Sequence, residues 1–396
     1  MSGTENTTAK ATSSTTTKNI TTDQMELADD WSNIDREKLV RGSTPEGIEQ
    51  RCLDLVRSYL SGSWANLTLE DVTVKRIAGG FTNQMYRVSL KESVQKLPNP
   101  IYGEDEPETV AVKLYQAKHI KNYHEGDPER LNDTIILNVM SQKGLGPKVY
   151  GIFEGGFIQD FLTHEQFRAA HMDQPALRKQ LMELLAAINL LQIPIRKDRD
   201  LMMKRTRGFI TRGYEQCEVR KLAEELNLKY LKEEDVFVEY DEVMSKIEAL
   251  KAPLVFVHND FRGSNLLVVK NDTGHQIFAC DLEHGGYGTR GFDLGSIYCE
   301  WNKKDIMDMA FTPPEDSVME ELVGFYIEAC ERLVPGYASK EGNSVEQHLK
   351  EARVMVLANK IFFTSFMMQF TESIVPDIPF DHKKHMVSLF FKKYLN

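Results

Sequence analysis

The 396-residue sequence is short of the features that would place a protein in a membrane, outside the cell or on a nucleic acid. No apolar run approaches the roughly 20 residues that a spanning helix needs. The N-terminus has neither the charged nor the apolar region of a secretory signal. The five cysteines (Cys52, Cys217, Cys280, Cys299 and Cys330) are scattered, odd in number and without metal-ligand spacing, which suits a reducing compartment. With 48 basic against 59 acidic residues the formal net charge is -11. That balance argues against nucleic acid or an anionic membrane as the main partner and is compatible with a cationic small molecule. No internal repeat is present. A cytosolic protein, long enough for two lobes sharing a cleft, is expected.

What the chain does have is one dense stretch, Leu254 to Trp301. An apolar run (Leu254, Val255, Phe256, Val257) leads into His258-Asn259-Asp260-Phe261-Arg262-Gly263-Ser264-Asn265, so a polar cluster is expected where a buried strand ends. The tripeptide His258-Asn259-Asp260 alone would fit a turn, because Asn and Asp bond their own backbone readily. Asp260 and Asn265, however, have the spacing of the base and the metal-binding Asn in a kinase catalytic loop. A second apolar strand, Ile277 to Cys280, then ends in Asp281-Leu282-Glu283, at the place of the metal-binding Asp of such folds. Phosphoryl transfer needs these parts: a carboxylate to accept the hydroxyl proton, and hard oxygen ligands for Mg²⁺. Asp260 is therefore the expected base, Asn265 and Asp281 the expected Mg²⁺ ligands, and Glu283 a further metal contact. His258 and Asp293 are expected to brace the loop.

Residues 1–28 are rich in Ser, Thr and Asn and are expected to form a disordered tail. Apolar residues at helical spacing after Pro45 predict a helix ending near Gly62. Strands are predicted at Val72 to Ile77 and Gln84 to Leu90. Between them Gly79, Gly80, Phe81, Thr82 and Asn83 form a loop whose paired glycines let the backbone approach phosphate oxygens; read by itself it would also fit a hairpin turn. Thr109 to Tyr115 reads as a buried strand with one inward charge, Lys113, like the strand whose Lys contacts the ATP phosphates. A helix from about Glu129 to Lys143 and a hairpin at Lys148 to Phe153 and Gly156 to Leu162 complete an N-lobe over residues 29–162. Residues 163–396 are expected to form a helical C-lobe, with helices near Leu177 to Leu191, Glu215 to Leu226, Asp235 to Leu250 and Ser317 to Leu333. The Lys- and Arg-dense residues 195–208 are read as a solvated loop or partner-facing surface.

The motifs Asp281-Leu282-Glu283, Tyr287, Arg290-Gly291-Phe292-Asp293-Leu294 and Glu300-Trp301, following His258-Asn259-Asp260 and Asn265, resemble the choline/ethanolamine kinase family from about Glu46 to the C-terminus. The resemblance implies an α+β, two-lobed protein-kinase-like fold, with an antiparallel sheet in the small lobe. It implies ATP as co-substrate with Mg²⁺, choline or ethanolamine as acceptor, a place in phospholipid synthesis and a homodimer. It also implies that Asp133 is the helix carboxylate paired with Lys113. Glu300 and Trp301 would face the acceptor ammonium, and Phe363 and Phe366 stand where the family has two cage tryptophans; their three-residue spacing fits core packing equally. The sequence departs from the family at Lys113 (usually Arg), Asp133 (usually Glu), Arg262-Gly263-Ser264 (Gln-Glu-Gly in choline kinases), Gly288 (Asn) and Ser296-Ile297-Tyr298. The alternatives are a kinase of another small alcohol, or a pseudokinase that binds nucleotide without turnover.

Overall fold

The structure, a computed structural model, describes residues 44–77, 83–101, 103–115, 130–199, 201–216, 218–225, 235–272, 274–302 and 313–368. The N-terminal tail and the glycine-loop residues Gly79, Gly80, Phe81 and Thr82 lie outside the described residues.

Helix α1 (Ile48–Tyr59) turns Ile48, Cys52, Leu53 and Val56 to one side and buries all four, as their spacing of three to four residues dictates. They cover a five-stranded sheet made of β1 (Val72–Ile77), β2 (Asn83–Leu90), β3 (Thr109–Tyr115) and two further strands. Helix α2 (Arg130–Gln142) is followed by β4 (Val149–Phe153) and β5 (Gly156–Asp160), which complete the sheet in the order β1-β2-β3-β5-β4 with every neighbour antiparallel. Central β3 is buried from Val110 to Leu114. This is why its sequence is a continuous apolar run rather than an alternation, and why Lys113 within it must find a partner. Ile136 and Met140 of α2 join Phe157 in a second core shared with the rest of the chain.

Beyond β6 (Glu165–Gln166) the chain is mainly helical: α3 (Pro175–Asn189), α4 (Leu201–Gln216), α5 (Val219–Glu225) and α6 (Val236–Leu250). Pro175 at the first turn of α3 costs no intrahelical bond, and its Leu177, Leu181, Leu184, Leu185 and Ile188 are core residues. Four short strands follow: β7 (Leu254–Val257), β8 (Leu266–Asn271), β9 (Gly274–Ala279) and β10 (Gly286–Thr289). β7 pairs with β10, while β6, β8 and β9 form a small sheet, all antiparallel. Helices α7 (Phe292–Glu300), α8 (Asp316–Leu333) and α9 (Val345–Met368) close the lobe. Two glycines are required here by close approach. A Cβ on Gly288 would lie 2.7 Å from Val257 Cγ2, and one on Gly295 would lie 2.7 Å from the Met355 carbonyl carbon. The first explains why the family's Asn is absent at 288; the second lets α7 sit against α9.

The basic stretch 195–208 differs from its reading as a loop. Its second half begins α4, with Met202, Met203, Thr206, Phe209 and Ile210 buried. The apolar positions recur at helical spacing, but the charges between them mask the pattern. The helix expected at Glu215 to Leu226 is correspondingly split between the end of α4 and α5. Among the described residues no helix is long and apolar enough to cross a membrane.

A buried ion pair ties α7 to α9. Arg290, just before α7, donates from Nε to Glu351 Oε2 at 2.7 Å and from Nη2 to Oε1 at 2.8 Å, with both side chains almost wholly buried. Its remaining donors reach the Tyr337 hydroxyl, Asn343 Oδ1 and the Gly342 carbonyl. Removing one member leaves the other charge buried and alone, at a cost of about 3–5 kcal/mol. Urea denaturation of Arg290→Met is expected to show a loss on that scale; a midpoint equal to wild type would show that the pair does not hold the lobe.

Candidate active site

The loop at the end of β7 is held by one carboxylate. Asp293, in the first turn of α7, accepts the backbone N–H of His258 at 2.8 Å and of Asn259 at 2.9 Å. These bonds stabilise Asn259 at φ 65°, a left-handed conformation that Asn tolerates better than most residues. The Asn259 amide in turn donates to the His284 carbonyl at 2.8 Å. His258 is fully buried; its Nε2 donates to the Cys280 carbonyl at 2.9 Å and its Nδ1 accepts the Asp260 N–H at 3.3 Å. Those partners assign a neutral ring, and burial pushes its pKa down, in the same direction. The loop and the segment before Asp281 are thereby clamped together, and the Cys280 N–H bonds the Asn265 carbonyl at 3.0 Å.

Asp260 is aimed by Asn265, whose Nδ2 donates to Asp260 Oδ2 at 2.6 Å and to the Asp260 carbonyl at 3.0 Å. Burial raises the pKa of the Asp260 carboxyl, against the charges of Arg262 and His284, which lower it. A carboxylate made more basic by its surroundings is a better proton acceptor. Asn265 Oδ1 faces away from that bond and receives the Ser264 hydroxyl at a long 3.4 Å, so it remains a usable oxygen donor.

Asp281 also takes a left-handed backbone, φ 61°. Its Oδ1 accepts from Lys113 Nζ at 2.8 Å, joining the small-lobe sheet to the larger lobe. Burial alone would lower the Lys113 pKa, but the carboxylates of Asp281, Asp133 and Glu283 more than reverse this and hold the ammonium charged. Asp133 is near enough to contribute charge, yet its own short hydrogen bond comes from the Tyr115 hydroxyl at 2.6 Å. The cation expected to pair with Asp133 thus bonds Asp281, and a tyrosine compensates the shorter acidic side chain. Asn83, at the start of β2, donates from Nδ2 to Glu283 Oε2 at 2.8 Å, a second link across the cleft.

The oxygens of Asn265, Asp281 and Glu283 fit Mg²⁺, which takes one or two carboxylates plus phosphate oxygens rather than a closed protein cage. Lys113 bonds Oδ1 of Asp281, whose side chain is 39% exposed. Among the described residues no cluster of three His, Cys, Asp or Glu side chains is present; such a cage is not what Mg²⁺ with a nucleotide requires.

Phe363 and Phe366 lie on α9 beside this loop. Phe366 stands edge-on to Phe209 of α4, with ring centroids 5.6 Å apart, and stacks with Phe362 at 6.3 Å. The Arg262 guanidinium lies over Phe363, 6.0 Å from its centroid. Glu300 and Trp301 are at the far end of α7, about 10 Å along its axis from Asp293 at 1.5 Å per residue, with Trp301 packed against the main core. Sequence reasoning overlooked two residues here. Arg205 of α4 donates from Nη1 to His284 Nδ1 at 2.6 Å, and His284 Nε2 lies 3.8 Å from Glu283 Oε1. The signal for Arg205 was its place among the buried positions of α4, one turn before Phe209.

The family model for choline/ethanolamine kinase matches residues 74–390. A human choline/ethanolamine kinase is 24% identical over 260 residues, covering 65% of this chain and 62% of that protein. A probable ethanolamine kinase of Arabidopsis thaliana is 27% identical over 259 residues, covering 64% and 62%. Choline kinase B1 of Caenorhabditis elegans is 24% identical over 353 residues, covering 84% and 88%. The chain therefore spans about three fifths of the human and Arabidopsis relatives. Among solved structures, a choline kinase of Cryptosporidium parvum superposes with a TM-score of 0.62 at 18% identity, covering 81% of this chain and 89% of that one. An ethanolamine kinase of Plasmodium vivax gives 0.64 at 15% identity, covering 92% and 93%. At such identities these two establish the fold, which is protein-kinase-like. With about four fifths of its length inside the family model, the chain belongs to the choline/ethanolamine kinase family.

Proposed function

We propose that the chain transfers the γ-phosphoryl group of ATP to the hydroxyl of ethanolamine or choline, with Mg²⁺. One observation carries this reading: Lys113 bonds Asp281 at 2.8 Å across the cleft from an Asp260 aligned by Asn265 at 2.6 Å. This supports reading Lys113 as a phosphate-neutralising cation, Asp281 and Asn265 as oxygen donors for a metal and the partly buried Asp260 as the base.

Asp260 accepts the acceptor's hydroxyl proton as its oxygen attacks the γ-phosphorus. The bond from phosphorus to the β–γ bridging oxygen breaks, and ADP leaves. Asn265 aligns the Asp260 carboxylate and, with Asp281 and Glu283, offers oxygens to the metal. A bound Mg²⁺ would neutralise phosphate oxygens. Lys113 holds positive charge toward the phosphates, and Gly79 to Asn83 are the further phosphate-contacting residues that the sequence suggests. Glu300 and Trp301 form the acceptor side. The product suits phosphatidylethanolamine or phosphatidylcholine synthesis in a cytosolic setting.

Between the two acceptors, the aromatic surroundings favour ethanolamine. A quaternary ammonium has no N–H donors and depends on open ring faces. Here the Arg262 cation lies over one face of Phe363, and Phe366 packs against Phe209 and Phe362. A primary ammonium can instead donate to carboxylates. Purified protein assayed for ADP release is expected to show kcat/KM for ethanolamine roughly tenfold above choline, the scale of one or two missing cation–π contacts. A preference for choline would overturn the assignment of the rings.

Asp260→Asn is expected to lower kcat by roughly 10²–10⁴-fold with ATP affinity kept; unchanged turnover would remove Asp260 from the role of base. Asp281→Asn is expected to raise the Mg²⁺ concentration needed for half-maximal rate, read from a metal titration. An unaltered titration would place the metal elsewhere. Silence of wild type with both alcohols, despite ATP binding, would favour a pseudokinase.

A further inference from the structure

Arg262 follows the proposed base by two residues and stands where choline kinases carry Gln. Its Nε donates to the Ser264 hydroxyl at 3.0 Å, which fixes the plane of the guanidinium. The Phe363 ring backs one face at 6.0 Å. Its distance to Asp260 Oδ1, 3.9 Å, is too long for a hydrogen bond, so the arginine is beside the base without neutralising it by direct contact. Among the described residues neither Nη1 nor Nη2 has a hydrogen-bond partner, and the side chain is only 15% exposed. A guanidinium this enclosed, with two amino groups unused, offers a fork that fits oxyanions.

Two occupants of the cleft could meet that fork. The acceptor ammonium is excluded by like charge. The other is the phosphoryl group, whose charge spreads over three equatorial oxygens as it moves toward the hydroxyl held at Asp260. Lys113, which bonds Asp281, acts on the phosphates from the small-lobe side, whereas Arg262 stands beside Asp260 itself.

Resting on the kinase reading above, the geometry points to Arg262 as a further catalytic residue: its Nη groups bind the non-bridging oxygens of the phosphoryl group in transit from ATP to the acceptor hydroxyl. The arginine stabilises charge that is largest in the transition state, so its effect falls on kcat more than on either KM. The bonds made and broken are those of the transfer itself, and Arg262 neither gains nor loses a proton.

The test compares wild type, Arg262→Gln and Arg262→Lys by steady-state ADP release and by binding of Mg²⁺·ADP with and without aluminium fluoride, a mimic of the transferring group. Arg262→Gln is expected to lose roughly 10²–10³-fold in kcat, with KM for ATP and for acceptor within about threefold. It is also expected to lose the extra affinity that aluminium fluoride confers while binding Mg²⁺·ADP as wild type does. Arg262→Lys, charged but unforked, should recover part of both, and serves if the Gln variant is unfolded by its melting profile. A raised acceptor KM at unchanged kcat would overturn the proposal in favour of acceptor binding. Unchanged aluminium fluoride affinity in a folded variant would reduce Arg262 to a loop brace. Wild type without turnover on either alcohol would count against the proposed function alone, since the aluminium fluoride comparison still reads the arginine.

Discussion

The Asp293 carboxylate is the constraint on which the cleft depends. Two backbone amides of a loop with a left-handed residue converge on it, one on each oxygen, so even the isosteric exchange for Asn would orphan one donor and an apolar side chain would orphan both. His258 reaches back to Cys280, Asn259 to His284, and Asn265 to Asp260, so the proposed base and the proposed metal-binding segment take their relative positions from one helix terminus. Asp293 is itself positioned because Arg290 anchors the start of α7 to α9.

Polar groups in the cleft are arranged in pairs, two of them of opposite charge, rather than as a uniform field. Lys113 meets Asp281, Asn83 meets Glu283, Arg205 meets His284, and Arg262 lies beside Asp260. The first two bonds run between the small-lobe sheet and the segment after β9. In the proposed reading each is made by a group that a nucleotide or its metal would also engage, so ligand binding would exchange one partner for another. Exchange is less costly than stripping solvent from a bare buried charge, and an inward lysine on a five-residue buried stretch is tolerable for that reason.

Much of this was legible in the order of residues. Asp260, Asn265 and Asp281 were marked by spacing and by the apolar strands before them, because strand ends are where a sheet can present polar side chains. The hairpin of β4 and β5, the α3 stripe and the α6 boundaries followed from periodicity and from Pro and Gly. What escaped notice was the work of side chains far apart in sequence. Asp133 looked like the partner of Lys113 by position along α2; only packing reveals that the Tyr115 hydroxyl claims it. Arg205 was concealed in a basic run whose buried face is visible only once α4 is seen. β8 was missed because Leu266 to Val269 follows the catalytic loop without a turn signal, and its identity as a strand depends on pairing with β9.

The close seating of α7 on α9 has a consequence for synthesis of the chain. Gly295 touches the backbone at Met355, Arg290 pairs with Glu351, and the Phe292 carbonyl accepts from Asn359 Nδ2 at 2.8 Å. The carboxylate that shapes the catalytic loop therefore waits on residues some sixty positions downstream (61 between Arg290 and Glu351). During translation the loop is made well before its support, and a nascent chain stalled ahead of α9 carries every proposed reacting side chain while lacking the frame to hold them. Contacts so distant in sequence form late and slowly, which ties assembly of the cleft to the emergence of α9.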